Sequence, residues 1–436
     1  MKKWILFALM MPLLGAAQTN GLSLADVRLR VLDGNPSVRE AIQRIAAAEA
    51  VLTQARSAYL PTVTLSGSYG HFDASLHPDI DVTTRYSDSF IQGTGGLQAN
   101  WLLFDGFARE ARSLAAKYGV QQSHEFAAET RRLLIQSATV AYRQAQLARE
   151  NVAIARRDLA FNRNLEADAQ KRFKAGDLPE SDVHNFSIRA LQAETSELQA
   201  ELDYKTACTI LAELMALPEA RLPESMQPLS IDFDEGGSIP DLESAFRYAL
   251  VHRPDYQAFT SGRLALAQQT RAAKGEMLPK IFLTGEMNYA DRSGYSTAGD
   301  HGNYDSFAGV TASWDLFSGG RKAAAVKEAQ AEMRALEQQQ ESLRLSIRSS
   351  LQKRIDEAAM SREVFLRAEK IHQLSVQVRD SVEKSYKAGM APITRLNEVQ
   401  TDLVRARGTY ASSYIAYQLV LNQLDIETGR ILAELE

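Results

Sequence analysis

Asp177, Glu180 and Asp182 cluster at one point of the chain. They follow the turn Phe173-Lys174-Ala175-Gly176-x-x-Pro179. A second turn, Tyr386-Lys387-Ala388-Gly389-x-x-Pro392, is followed by Arg395 and Glu398. Acids and a cation on converging turns could line a constriction and close it by charge pairing. The plainer alternative is that Glu180 and Asp182 complement a helix N-terminus, and spacing alone favours it. Covalent chemistry has no comparable cluster. There is no His-Glu-x-x-His, phosphate-loop or Gly-x-Ser-x-Gly pattern, and Gly93-x-Gly95-Gly96 lies in a strand without the spacing of a dinucleotide loop. The seven histidines are dispersed, and His184 near the turn reads as an exposed helix residue. Cys208, the single cysteine, excludes an intramolecular disulfide and reads as a small buried side chain. No catalytic residue, metal or cofactor is expected.

Each turn is built to join two helices. Gly176 and Gly389 suit the left-handed position past a helix end, Lys174 and Lys387 favour the helix C-terminus, and Pro179 and Pro392 suit the first position of the next helix. The turns recur 213 residues apart. Trp101-x-Leu103-Phe104-x-Gly106 and Trp314-x-Leu316-Phe317-x-Gly319 recur at the same offset. Upstream, Leu60-Pro61 matches Leu278-Pro279 and Asn35-Pro36 matches Arg253-Pro254, both at 218. The difference between the offsets falls between Pro61 and Trp101. A period this long is a duplicated structural unit, not a solenoid module.

Four segments alternate with period two, as half-buried strands do. Val63, Leu65 and Tyr69 share one face of 62–72; Ile91, Leu97, Ala99, Trp101 and Leu103 share one face of 90–104. Ile281, Leu283, Met287 and Tyr289 do so in 280–290, and Ala308, Val310, Ala312, Trp314 and Leu316 in 307–317. Each copy holds one hairpin, 62–104 and 280–317, with polar connections at 73–89 and 291–305. Strands of about ten residues can cross a bilayer when tilted. Apolar faces flanked by Tyr69, Trp101, Tyr289 and Trp314, set against polar faces, fit an outer-membrane barrel with aromatic girdles. A soluble sandwich with one wet face is the alternative. Four strands cannot close a barrel, and lipid tolerates no open edges.

The rest reads as helix. Residues 106–175 and 319–388 contain no proline. Phe126, Leu133, Val140, Leu147, Ile154 and Phe161 recur every seven residues, which predicts an underwound coil. Seventy residues span roughly 105 Å. The stretches 22–60, 179–217, 241–278 and 392–430 are each about half as long, so one long helix matches two short ones stacked. The first repeat is 18–217 and the second 241–436, with a breaker-rich linker or mid-length layer at 218–240.

Lys2 and Lys3, the apolar run Trp4 to Leu14 and Gly15-Ala16-Ala17 read as a secretory leader over 1–17, with too short a run to span a membrane. No cysteine follows to carry lipid. Removing the leader takes the formal charge from −5 to −7, and no basic stripe suggests nucleic acid.

An exported chain with two hairpin-plus-long-helix copies, Leu-Phe-Asp-Gly and Leu-Phe-Ser-Gly-Gly joints, and aromatic-Lys-Ala-Gly turns resembles the TolC-like outer-membrane efflux proteins. The resemblance covers essentially the whole mature chain. It implies a homotrimer, with four strands per chain in one twelve-stranded β-barrel in outer-membrane lipid. The helices then continue as a hollow α-barrel through the periplasm of a Gram-negative-type cell. It also implies partners: a periplasmic adaptor (membrane fusion) protein and an inner-membrane pump of RND, ABC or MFS type. The function implied is a passive exit duct for efflux or type I secretion, gated at the helix turns. By motif, Asp182 falls where the family commonly has Asp-Val, and Arg395 departs from that at the second turn. Glu398 matches a pore-facing acid, but the basic partner two residues past the glycine is Ala391 here. Arg395 is therefore expected to supply the cation and pair with Asp182 of a neighbouring hairpin, with Tyr386 packing or hydrogen-bonding nearby. The competing readings are a periplasmic coiled-coil adaptor or structural protein, which would not need two amphipathic strand hairpins, and an exported enzyme, which would need a catalytic constellation.

Overall fold

A computed structural model describes residues 21–76, 86–231, 233, 239–293 and 301–433. The expected leader 1–17 lies outside them. So do residues 77–85 and 294–300 of the strand connections, residues 232 and 234–238 of the 218–240 segment, and the last three residues. The order is α1 (Leu24–Gly34), α2 (Pro36–Ser57), β1 (Thr62–Leu76), β2 (Tyr86–Phe104), α3 (Ala108–Lys174) and α4 (Glu180–Leu214), and then α5 (Leu242–His252), α6 (Pro254–Gly275), β3 (Lys280–Ser293), β4 (His301–Ser313), α7 (Arg321–Lys387), α8 (Ile393–Thr428) and α9 (Arg430–Ala433). The long helices match in length, 67 residues each. The chain divides into two compact units. One comprises 1–39, 130–252 and 347–436, the other 40–129 and 253–346.

The second of these units holds the sheet, antiparallel throughout in the order β1-β2-β3-β4. The strands run further into the polar connections than the apolar alternation reaches: Asp73 pairs with Ser89 and Asp291 with Gly302. Backbone ladders need no apolar side chain, so pairing outlasts the pattern that announces it. At the other end β4 stops at Ser313, so Trp314 to Phe317 lie outside a strand that the alternation carried to residue 317. Their counterparts Trp101, Leu102 and Phe104 pair with Leu283, Phe282 and Ile281 of β3, with a bulge between Leu102 and Phe104. Among the described residues β4 pairs only with β3.

Where strand turns into helix, both copies share a tryptophan hydrogen bond and a basic residue. The Trp101 Nε1–H donates to the Tyr59 carbonyl at 2.9 Å, and the Trp314 Nε1–H to the Met277 carbonyl at 3.0 Å. The Asp105 carboxylate accepts the Arg109 backbone N–H at 2.7 Å and caps α3. The Arg109 guanidinium covers the carbonyls of Leu102 and Leu103 and stacks 4.5 Å from the Tyr59 ring centre. The second copy places Lys322 there, 3.2 Å from Asp315. Gly106 has φ +68°, and a Cβ on it would lie 2.3 Å from the Gly275 carbonyl oxygen. This approach lets Ala108 and Ala111 of α3 bury against Ala272 of α6.

The other unit has its core where the middle of α3 meets α1, α4 and the 218–231 segment. Ala138, Ala141, Tyr142 and Ala145 pack with Leu22, Val27, Val31, Leu211, Met215 and Met226. The small residues let the backbones approach, and the Tyr142 hydroxyl donates to the Leu22 carbonyl at 3.1 Å. Leu22 also pairs with the 218–231 segment through a short parallel bridge to Met226. Ser23 and Asp26 form a capping box on α1. The sevenfold stripe of α3 is only partly covered within the chain: Phe126 and Leu133 are about half exposed, while Ile154 is buried. At mid-helix the alanines Ala138, Ala141 and Ala145 join the in-chain core.

Gly106→Ala should lower the melting temperature of the purified protein, followed by circular dichroism, more than Gly176→Ala does. Both place an L-residue at positive φ, at roughly 1–2 kcal/mol. Only Gly106 also forces backbone apart, since nothing lies within 4 Å of a Cβ on Gly176.

Candidate functional site at the helix turns

The turn after α3 closes with a Schellman pattern. The Gly176 N–H donates to the Phe173 carbonyl and the Asp177 N–H to the Arg172 carbonyl, both at 2.9 Å, with Gly176 at φ +85°. The turn after α7 repeats this. The Gly389 N–H donates to the Tyr386 carbonyl at 2.9 Å and the Met390 N–H to Ser385 at 2.8 Å, with Gly389 at φ +75°. Pro179 and Pro392 stand one place earlier than expected, at the N-cap with extended backbone rather than at the first helical position. Their fixed φ suits either place, and their carbonyls accept the N–H of Asp182 and of Arg395, both at 3.1 Å.

The two hairpins share an apolar core. Leu165 and Ala169 of α3, Phe186 of α4, Tyr386 of α7, and Leu396 and Val399 of α8 are buried together. Tyr386 lies within this core, with the Arg172 guanidinium 5.5 Å from its ring centre. Arg172 is held by Asp168 at 3.1 Å. Burial pushes the Tyr386 phenol above its ordinary range, against the opposing pull of Arg172, so it stays protonated. Tyr386 is thus a packing residue that joins one hairpin to the other.

The charged side chains sit around this core. Asp182 is half-buried at the start of α4. Arg395 pairs with Glu398 of its own helix, Nη1 to Oε2 at 2.6 Å, and both are exposed. The structure therefore brings Arg395 and Glu398 together within one turn of α8. Glu180 lies 3.7 Å from His184. A further charge centre escaped the sequence reading. Glu383 accepts from Lys387 at 2.8 Å and from Arg379 at 3.0 Å. The Lys387 hydrogen bond, with both cations nearby, holds the Glu383 carboxyl below its ordinary value. A depressed folded-state value means this pairing stabilises the turn above the ordinary carboxylate range and is lost as pH falls through the folded value. The spacing of Glu383 four residues before Lys387 was the available signal.

The girdle candidates are far from these turns in sequence and belong to the sheet-containing unit. Tyr69 is 80% exposed, and Trp101, Tyr289 and Trp314 are also exposed. Among the described residues no group of acids, histidines and cysteines could hold a metal ion, and no helix is long and apolar enough to cross a membrane.

Set beside known proteins, the chain matches the family model described as outer membrane efflux protein twice, over residues 28–217 and 246–429. The chain belongs to the outer membrane efflux protein family. It is 27% identical over 280 residues to outer membrane efflux protein BepC of Brucella suis biovar 1, covering 64% of this chain and 57% of that protein. It is 25% identical over 322 residues to outer membrane protein TolC of Vibrio cholerae, covering 71% of this chain and 68% of that one. Among solved structures, the Campylobacter jejuni CmeC outer membrane channel superposes with a TM-score of 0.77 at 15% identity, over 93% of this chain and 85% of that one. The Vibrio cholerae VceC outer membrane protein superposes with a TM-score of 0.74 at 17% identity, over 93% and 96%. The mainly helical chain with a four-stranded antiparallel sheet is the fold these structures share.

Tyr386→Ala should speed amide exchange across both turns, 173–182 and 386–395, because truncating a buried aromatic costs about 3–5 kcal/mol. Tyr386→Phe keeps the ring over Arg172 and should leave exchange nearly unchanged. Hydrogen-exchange mass spectrometry of the two variants distinguishes packing from a role of the hydroxyl.

Proposed function

We propose that the protein is the outer-membrane exit duct of a tripartite efflux or type I secretion system, a passive channel and not an enzyme. Family membership supports the class. The observation that carries the reading is the sheet itself. Its outward side presents Leu65 and Tyr69 at 81% and 80% exposure and Val310 at 65%, while β1 and β4 are unpaired edges. An apolar face of this size is stable against lipid, and an open edge is not. Three copies supply twelve strands and close the barrel; their long helices line the duct through the periplasm. A periplasmic adaptor and an inner-membrane pump of RND, ABC or MFS type engage the turns. Residues 1–17 are the leader that exports the chain, and residues 18–217 and 241–436 are the two repeats flanking the 218–240 segment.

The gate in this reading is the ring of hairpin turns. Asp182 and Arg395 occupy equivalent places in the two copies, so the assembled ring alternates acid and cation. In the closed duct Arg395 leaves its helical partner Glu398 and pairs with Asp182 of the neighbouring hairpin. An exposed pair within one helix is worth well under 1 kcal/mol, so the exchange costs little. Tyr386 fixes the hairpins against each other while this happens, and Tyr69, Trp101, Tyr289 and Trp314 sit at the membrane interfaces.

Arg395→Ala should raise the single-channel conductance of the purified protein in planar bilayers, and Asp182→Asn should do the same. Conductance equal to that of the unmodified protein in both variants would overturn the pairing. Absence of any channel from the unmodified protein would overturn the duct.

A further inference from the structure

Leu351, Ala358, Phe365, His372, Arg379 and Tyr386 recur every seven residues along α7. That spacing marks the contact stripe of a helix packed on its neighbours, where a polar residue costs stability. The other four are buried, and the two polar members, His372 and Arg379, are partly buried. Along α8, Gln400, Arg407 and Tyr414 repeat at the same interval beside the buried Leu396, Leu403 and Tyr417. The two stripes meet. His372 stacks on Tyr410 with ring centres 5.2 Å apart, and Tyr386 packs with Leu396 and Val399. Fourteen residues forward on α7, from 372 to 386, are thus fourteen back on α8, from 410 to 396. Arg407 therefore falls level with residue 375, between His372 and Arg379. The third wall is α3. The Gln400 Nε2 donates to the Asp158 carboxylate at 2.7 Å, and the Arg379 guanidinium lies 5.6 Å from the centre of the Phe161 ring.

A basic side chain in such a stripe is costly unless an acceptor meets it. The carboxylates nearby are already engaged. Asp158 accepts from Gln400, while Asp380 and Glu383 pair with the two terminal nitrogens of Arg379, each at 3.0 Å. The Arg379 Nε is buried and has no hydrogen-bond partner. Arg407 forms no ion pair with a described residue. Burial lowers its guanidinium from the ordinary value, and the charges of Arg157 and Arg379 lower it further, against the pull of Asp380 and Asp158. Burial and then Arg407 lower the His372 imidazole in the same way, against Glu369. Both shifts follow from too much positive charge, too little solvated, where the three helices meet.

We infer that a small inorganic anion, a halide or an oxyanion, binds between α7, α8 and α3, held by the Arg407 guanidinium and the Arg379 Nε–H. A guanidinium presents five N–H donors in one plane and suits either kind of anion. The anion supplies the acceptor that the two arginines lack and offsets the charge that the three helices bring together. All its residues belong to one compact unit of a single chain, so the site does not rest on the assembly proposed above. Arg379 is two helical turns, about 10 Å, from Tyr386. An occupied site therefore ties α7 and α8 to α3 next to the apolar core that joins the hairpins.

The test is hydrogen-exchange mass spectrometry of the full-length protein in detergent, in potassium chloride, phosphate or gluconate at equal ionic strength. Gluconate is the reference, being too large to enter between packed helices. Chloride or phosphate at about ten times its dissociation constant should slow amide exchange over 372–382 and 400–410 roughly tenfold relative to gluconate. Exchange in α1 should not change. Whichever salt protects identifies the anion as halide or oxyanion. Equal exchange in all three salts overturns the site. Arg407→Met puts an apolar chain in place of the guanidinium and should abolish the salt dependence; protection that persists in this variant overturns the assignment. A second measurement needs no variant. Crystals of the unmodified protein soaked in bromide or in arsenate should show, with one of the two, an anomalous peak in contact with Arg379 and Arg407. No peak there with either ion overturns the site.

Discussion

A β-sheet in hydrocarbon must pair every backbone donor and acceptor, because no water is present to satisfy an edge. Among the described residues one chain supplies four strands in sequential order and therefore two open edges. In the proposed channel, that single constraint forces association. The side chains can face lipid only because the backbone finds its partners elsewhere.

The joints between strand and helix transmit this constraint to the rest of the fold. A tryptophan N–H on a loop carbonyl and a basic residue at the same place recur in both copies. They set the direction in which a helix of 67 residues leaves the sheet. At the first joint two glycines and three alanines bring backbones into contact.

At the other end of the helices, apolar packing holds the hairpins and charge surrounds them. Tyr386, Phe186 and Leu396 are buried together, while Arg395, Glu398 and Glu180 are exposed. Exposed pairs are weak and exchange partners readily. A turn that must open and close is well served by a stable core under a labile set of charges.

The repeat, the absence of proline over two long segments, the glycine turns and the period-two strands were all legible in the chain, because each is a rule of local geometry. Helix and strand ends came within a few residues for the same reason. The end of β4 at Ser313 was decided by which neighbour was present, and the N-cap place of Pro179 and Pro392 by a fixed φ that suits either position. Arg395 with its partner within one chain, Glu398, and the Glu383 centre are pairs three and four residues apart on one helix, a spacing written in the sequence. The sequence by itself determined a duplicated, exported-type chain of long helices and amphipathic hairpins, because periodicity and backbone preference act over a few residues. Only the tertiary structure decided the register and the buried faces. Those follow from contacts between residues hundreds of positions apart, for which no local pattern is written.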